Sequence, residues 1–434
     1  MIGMIRSMKQ YSQTWYIGYA AQGGVGLGLA PIFLPVMVAA AFASGVGNTK
    51  AGIIVAVFYF GQLFSPVFGY LADKLNWHRI IYIGSFILVG IGMGCFPFFQ
   101  DMVYWIIMAM CMGLGIGAAN TVAEMFIVEF QPQSEWDNRV SWLQMFFGVG
   151  QAVGLFAAFF LSNYINLAFY VSGIAMLPSL IIGLIQLPQI HQRNRVKRTK
   201  ENPVVTPVKS RSFGHSMRHL PYAFVALKRI GGLFRLKNLI SLFKSLFLLY
   251  MTAWVFVMLG NWLIYNLYPL LMKSVFDVST SMASLTFAIG ATAAIPACPL
   301  SGWLANKIGE VWVLIIGMIL SLIAGLGMFL CYLFPFTGAV YVASAAFICL
   351  PIAWSPLVII GTALVTRMSS MSQGESMGIF TSATAGASLV AAIAAGYIAD
   401  TLGFDMVLLI SAIMTVISLG LIFILKGILV KHPV

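Results

Sequence analysis

The sequence predicts an all-α membrane protein of twelve transmembrane helices, arranged as two pseudo-symmetric bundles of six. Three observations predict it. Apolar runs long enough to cross a bilayer recur along the whole chain with short polar breaks. A basic, proline-containing stretch separates the sixth run from the seventh. The polar turns of one half echo those of the other.

Of the 434 residues, 60% are hydrophobic and only 8% are charged, and the mean hydropathy is +0.95. A soluble chain of this length would form two or three domains, and this one carries too little charge to cover them. A bilayer helix needs ~20 mostly apolar residues, so there is room for about twelve. Spans are expected at 14–42, 49–72, 79–98, 102–129, 140–161, 165–188, 244–271, 279–305, 311–333, 338–365, 375–399 and 404–428. The runs are continuous rather than alternating, which points to helices and not to a barrel. The first run is too long for a secretory signal and no small-residue cleavage site follows it, so it reads as the first span.

The expected organisation is an N-terminal bundle over 1–189, a basic cytoplasmic linker over 190–243 and a C-terminal bundle over 244–434. The linker opens "HQRNRVKRTKENPVVTPVKSRS", which reads as flexible. It continues "LPYAFVALKRIGGLFRLKNLISLF", in which Phe224, Leu227, Ile230 and Phe234 fall near one helical face and Lys228, Arg229, Arg235 and Lys237 elsewhere. That pattern fits a basic amphipathic helix on an anionic leaflet, and it equally fits a solvated linker.

Lys and Arg set the orientation. With a cytoplasmic N-terminus only Lys50 and Lys273 lie outside, and the other 22 of 24 basic residues lie inside. Four acids, Asp101, Asp277, Asp400 and Asp405, fall outside. The expectation is a multi-pass protein of the bacterial inner (plasma) membrane with both termini cytoplasmic. The asymmetry also accounts for the formal net charge of +12 without a nucleic-acid partner. The five cysteines all sit in apolar runs, without metal or redox spacing. No catalytic constellation, metal set or cofactor site is expected, and the chain does not read as an enzyme. The short linker is too small and too basic for the folded domain a sensor would carry.

The two halves correspond. "GYLADKLNWHR" follows span two and "GWLANKIGEVW" follows span eight, while spans five and eleven open after "DNRVSWLQMF" and "QGESMGIFTS". Repeated six-helix units mark many secondary transporters. Twelve spans, a central basic loop and a Gly-x-Leu-Ala-Asp-Lys turn between spans two and three resemble the major facilitator superfamily over nearly the whole chain. Gly69, Leu71, Ala72, Asp73, Lys74 and Arg79 match the family turn, and Asn76 stands in its second glycine position. The resemblance implies transport by alternating access, usually as a monomer. It places Asp73 against the N-terminus of span eleven, near Glu375, as a latch that closes the cytoplasmic side. An acid at a span's end needs donors, and a helix N-terminus supplies them. Gly69, Lys74, Arg79, Glu129 and Arg139 complete the expected cytoplasmic gate. Asn306 replaces the acid in the second-half copy, so the gate is expected to be asymmetric.

The resemblance and the depth of residues in their spans make Gln22, Tyr59, Gln62, Asn120, Gln151, Asn261, Trp262, Tyr265, Asn266, Trp354 and Thr381 candidate substrate ligands. Aromatic faces supply apolar area and amides fix orientation. The same residue types also form interfacial belts and link helices. Glu124 is the one acid well inside a predicted span, which makes it the candidate proton carrier. It lies ~12 Å from the middle of its span at ~1.5 Å per residue, so a structural pairing with Arg139 stays open.

Absences narrow the class within the resemblance. The deep arginines of phosphate and nitrate porters, the first-span charges of proton–peptide porters, the sugar-porter motif after span six and the span-two acids of melibiose-type symporters are missing. "GLGIGAAN" and the glycines of "FFGVGQAVGLFAA" look exporter-like, though Gln151 replaces a proline and a fourth-span arginine is absent. Small residues there are expected to pack tightly where the halves meet. The expected function is proton-coupled export of a small neutral, cationic or amphipathic molecule. The alternative is a facilitator or importer of a metabolite or a metal-chelating, siderophore-like compound.

Overall fold

The computed structural model describes residues 14–43, 45–75, 77–130, 136–186, 246–368 and 373–431. Among them every regular element is helical. Eleven stretches are long and apolar enough to cross a bilayer, and Ile165–Ile181 is a shorter twelfth. Eight spans are the single helices His78–Gly94, Met102–Phe130, Trp136–Leu161, Thr280–Ile308, Glu310–Leu333, Ala339–Met368, Gln373–Thr401 and Phe404–Lys431. The amphipathic-helix reading of 224–237 falls outside the described residues.

Prolines explain where three predicted spans divide in two. Span two is Gly47–Gln62 then Ser65–Leu75, span six is Ile165–Ile174 then Met176–Gln186, and span seven is Leu246–Tyr265 then Tyr268–Phe276. Each first helix ends four residues before a proline: Gln62 before Pro66, Ile174 before Pro178 and Tyr265 before Pro269. A proline ring clashes with the carbonyl four residues back and offers no N–H to it, so the helix stops there and a new one begins. Pro296, Pro299, Pro351 and Pro356 instead sit inside unbroken helices, which nothing here explains.

Span one departs from the expected single α-helix. Thr14–Gly23 passes through a π-helical turn, Gly24–Leu29, before Ala30–Ala41 resumes α geometry. The sequence there is "GVGLGL", and glycine tolerates the widened backbone. Gly24 and Gly28 lie against the backbone of Gly150 and Gly154 in span five.

That contact corrects an expectation. Gly150 and Gly154 do not sit between the halves; they seat span five against span one of the same half, where a methyl group would strike the carbonyls of Ala20 and Gly24. Only Gly148 looks across, toward Ile295 of span eight.

The buried apolar side chains fall into two clusters. One runs through spans one to six and continues into the second half through Tyr265, Tyr268, Phe287 and Phe347. The other belongs to the second half alone, around Trp254, Met318, Leu357 and Ile422. The halves therefore share one core toward the end carrying Asp400, while the second half keeps a separate core toward the other end. Side-chain hydrogen bonds link several of the described helices. Ser411 and Ser418 hydroxyls each donate at 2.7 Å to carbonyls of span seven, at Gly260 and Ala253. In lipid such bonds and close packing hold helices together, because apolar surface gains little from leaving lipid.

Candidate functional site

Both halves line a central cavity. It holds about 800 Å³, its open mouth included. Spans one, two and five contribute Gly26, Ala30, Pro31, Leu34, Val55, Phe58, Tyr59 and Gln151, and spans seven, eight and ten contribute Trp262, Tyr265, Asn266, Phe287, Ala291, Ala294, Pro351 and Trp354. None of these described lining residues carries a charge.

Aromatic rings join the two halves across this space. The Tyr59 ring of span two meets Trp262 of span seven edge-on, with centroids 5.1 Å apart and planes at 64°. Trp262 in turn meets Trp354 at 5.8 Å and Tyr265 at 5.5 Å. Such tilted and T-shaped pairs are the favoured aromatic geometry. Asn266 closes the last turn of the span-seven helix, its N–H donating to the Trp262 carbonyl at 3.1 Å. Its side-chain Nδ2 donates to the Ser388 carbonyl of span eleven at 3.2 Å. Asn266 Oδ1 and Trp262 Nε1 are buried without a hydrogen-bond partner among the described residues.

Six of the eleven candidate ligands line this cavity: Tyr59, Gln151, Trp262, Tyr265, Asn266 and Trp354. Five lie elsewhere. Gln22 is fully buried in the first half, where its Nε2 donates to Ser85 Oγ at 2.7 Å. Gln62 and Asn120 are half-buried away from the lining. Asn261 is buried next to the lining turn, and both of its amide atoms lack a partner among the described residues. Thr381 is exposed. The lining residues that the sequence did not single out, such as Phe58, Phe287 and Pro351, are of the same types as the lipid-facing ones.

At one end the halves are bound together. Span two begins at Gly47, and its N-cap, Val46, offers no side-chain acceptor. The carboxylate of Asp400, near the end of span eleven, serves instead. Thr49 N–H donates to Oδ2 at 2.7 Å, Asn48 N–H to Oδ1 at 3.3 Å and Asn48 Nδ2 to Oδ1 at 2.9 Å. These N–H groups belong to the first turn, which has no intrahelical acceptor and bears the positive end of the helix dipole. Gly396, one turn earlier, lets the backbones touch at Asn48 and Thr49, and Gly52 lies against Ala392 in the same way. At this end too, Ser281 of span eight donates to the Phe159 carbonyl of span five at 3.1 Å.

A sequence signal for this contact exists. "GYIAD", Gly396 to Asp400, repeats "GYLAD", Gly69 to Asp73, with one residue changed. The first copy ends span two and the second ends span eleven. The close glycine and the carboxylate one turn later are the parts that act at Asp400.

At the Asp73 end Ser65–Leu75 packs on spans three and four. Gly69 is buried there. Arg79 donates to the Leu184 carbonyl of span six, and buried Arg139 accepts from the Tyr16 hydroxyl at its backbone carbonyl, 3.0 Å away. The side chains of Asp73, Lys74, Glu129 and Glu375 lie outside the described residues, as does that of Glu124.

The model of the Major Facilitator Superfamily matches residues 16–372 and 255–433. The chain belongs to the major facilitator superfamily. Solved structures agree with this fold. The chain is 16% identical to a D-xylose-proton symporter, with a TM-score of 0.70, over 96% of this chain and 97% of that one. It is 16% identical to the xylose transporter XylE from E. coli, caught in a partially occluded inward open conformation, with a TM-score of 0.65 over 95% and 99%. It is 12% identical to the nucleoside transporter NupG, with a TM-score of 0.63 over 95% and 98%. At these identities the likeness is one of fold. No curated protein matches the chain. The family makes the chain a multi-pass membrane transporter built as twelve helices in two six-helix bundles.

Proposed function

We propose that this major facilitator protein is a secondary active transporter of the exporter-like branch, moving a small neutral, cationic or amphipathic molecule out of the cell by alternating access. One observation carries the reading: an uncharged aromatic cavity is lined from both halves, and the halves are bound together at the Asp400 end. A site between two halves that part at alternate ends is what alternating access requires. Lys307 and Lys426 lie over the Trp303 and Trp312 rings toward the Asp73 end. The excess of Lys and Arg in the breaks on that side supports a cytoplasmic assignment for it. On this reading the Asp400 end is the outer one, its closed contact makes the state outwardly closed, and the protein works as a monomer in the bacterial inner membrane. The basic linker over 190–243 runs beside the anionic cytoplasmic leaflet, and both termini are cytoplasmic.

Protons drive the cycle, with Glu124 as carrier. A Glu124→Gln variant in vesicles with an imposed pH gradient is expected to lose gradient-driven accumulation while keeping solute exchange. Unchanged gradient-driven movement in that variant removes Glu124 from the coupling. The D-xylose-proton symporter and the nucleoside transporter among the structures of this fold favour a second reading, an importer of a metabolite. The sign of the pH gradient that drives accumulation separates the two.

A further inference from the structure

Resting on the transport reading above, we infer that the solute is an uncharged, planar heterocycle that presents one hydrogen-bond acceptor and one donor along the same edge. The argument begins with charge. A cation in a site of low dielectric needs a carboxylate or an aromatic cage, and an anion needs Arg, Lys or helix N-termini. The described lining holds no charged side chain. Nor do its rings form a cage. Trp262 already touches Tyr59, Tyr265 and Trp354 at centroid distances of 5.1, 5.5 and 5.8 Å, which leaves no gap among them for an ammonium group. Together they make a continuous aromatic wall. A flat ring gains area and quadrupole contact on such a wall.

Polarity narrows the class further. Ten of the sixteen lining residues, from Gly26 to Pro351, have no polar side-chain atom. A polyol would leave several hydroxyls unpaired against them, and each buried unpaired group is costly. Two polar atoms of the wall are themselves unpaired. Trp262 Nε1 can only donate and Asn266 Oδ1 can only accept. The Asn266 assignment follows from its Nδ2, which is already spent on the Ser388 carbonyl. The two residues are one helical turn apart on the same face, as the Asn266 N–H to Trp262 carbonyl bond shows. A solute with an acceptor for Nε1 and a donor for Oδ1 satisfies both at once. The other polar groups of the wall are the Gln151 amide, the Tyr59 and Tyr265 hydroxyls and the Trp354 indole N–H.

Benzimidazole and indole test this, since they differ by one ring atom. Benzimidazole has the acceptor nitrogen and the N–H; indole has the N–H alone. Both are uncharged at mildly alkaline pH. Calorimetric titration of the purified full chain in nanodiscs is expected to show benzimidazole binding about tenfold more tightly than indole, the worth of one well-made hydrogen bond. Xylose and tetraphenylphosphonium are expected to bind more weakly than either. Trp262→Phe keeps an aromatic face, though a smaller one, and removes the donor, so it should bring the two heterocycles to within about twofold of each other. Indole binding as tightly as benzimidazole to the unaltered chain overturns the inference, as does tighter binding of xylose or tetraphenylphosphonium, or no binding of benzimidazole. The wild-type comparison stands even if the variant fails to fold. Flux into vesicles separates this inference from the transport reading. Benzimidazole that binds but never crosses sinks transport and leaves the site chemistry, whereas flux of xylose or tetraphenylphosphonium without benzimidazole binding does the reverse.

Discussion

Two tryptophans on span seven, eight residues apart, show how one residue type serves two ends. Trp254 is fully buried, its Nε1 donates to Thr384 Oγ1 at 2.8 Å, and its ring lies 4.4 Å from that of Phe380. Every part of it is used in holding span seven to span eleven. Trp262 has a ring in the cavity wall and an Nε1 without a partner. The two positions should therefore answer the same substitution differently. Trp254→Phe is expected to lower the unfolding free energy by more than about 1 kcal/mol, through the lost hydrogen bond and the cavity left by the smaller ring, and to leave benzimidazole affinity unchanged. Trp262→Phe is expected to lower the melting temperature in detergent less than Trp254→Phe does, since it breaks no hydrogen bond, and to weaken benzimidazole. Melting curves and titrations of both variants give the four numbers, and a stability loss at Trp262 equal to that at Trp254 contradicts the division.

At the scale of elements, glycine placement decides which helices touch. A Cβ at Gly154 would meet the backbone of Gly24, where neither neighbour can give way, so Gly154→Val should separate spans one and five and cost more than about 3 kcal/mol or prevent folding. A Cβ at Gly84 in span three meets nothing within 4 Å, and Gly84→Ala should be neutral or stabilising by up to about 1 kcal/mol. Expression and thermal stability of the pair test this, and a folded Gly154→Val at normal stability refutes the seam. The two glycines look alike in the sequence, which marks the limit of what can be read there. The spans were legible because crossing a bilayer demands apolar length, and their polar turns because water does. The breaks at Gln62, Ile174 and Tyr265 were legible in principle, since Pro66, Pro178 and Pro269 stand four residues on. Which face of a span meets lipid, a partner helix or the cavity was not. A helix that is apolar all round has no periodicity to separate those faces, so Phe58 and Phe287 of the lining look like Phe160 or Phe423, which are 74% and 50% exposed.

For the whole molecule, the two "GYxAD" copies imply a reciprocal arrangement of spans two and eleven. Each span ends in a glycine and a carboxylate, and each begins with a first turn of unpaired N–H groups. Running antiparallel, each span carries its "GYxAD" end toward the end at which the other begins. Asp400 on Asn48 and Thr49 is one such contact in place. The family resemblance sets Asp73 at the start of span eleven as the other. Rocking halves cannot hold both contacts at full strength, so the two acids bias one equilibrium in opposite directions. Spin labels at Val46 and Leu402, which are 53% and 63% exposed on opposite halves at the Asp400 end, report whether that end is closed. With the native cysteines replaced, Asp400→Ala should lengthen this distance in most molecules, since hydrogen bonds to a charged acceptor are worth ~1.5–3 kcal/mol and their loss shifts the two-state ratio by ~10–100-fold. Asp400→Asn keeps one acceptor oxygen and should move the ratio the same way by less. Asp73→Asn should enlarge the short-distance population instead. The double variant should return toward the unaltered ratio, because each change removes one side of the same balance. If both single variants shift the distribution the same way, the acids do not oppose each other, and the reciprocal arrangement fails although the Asp400 contact itself remains.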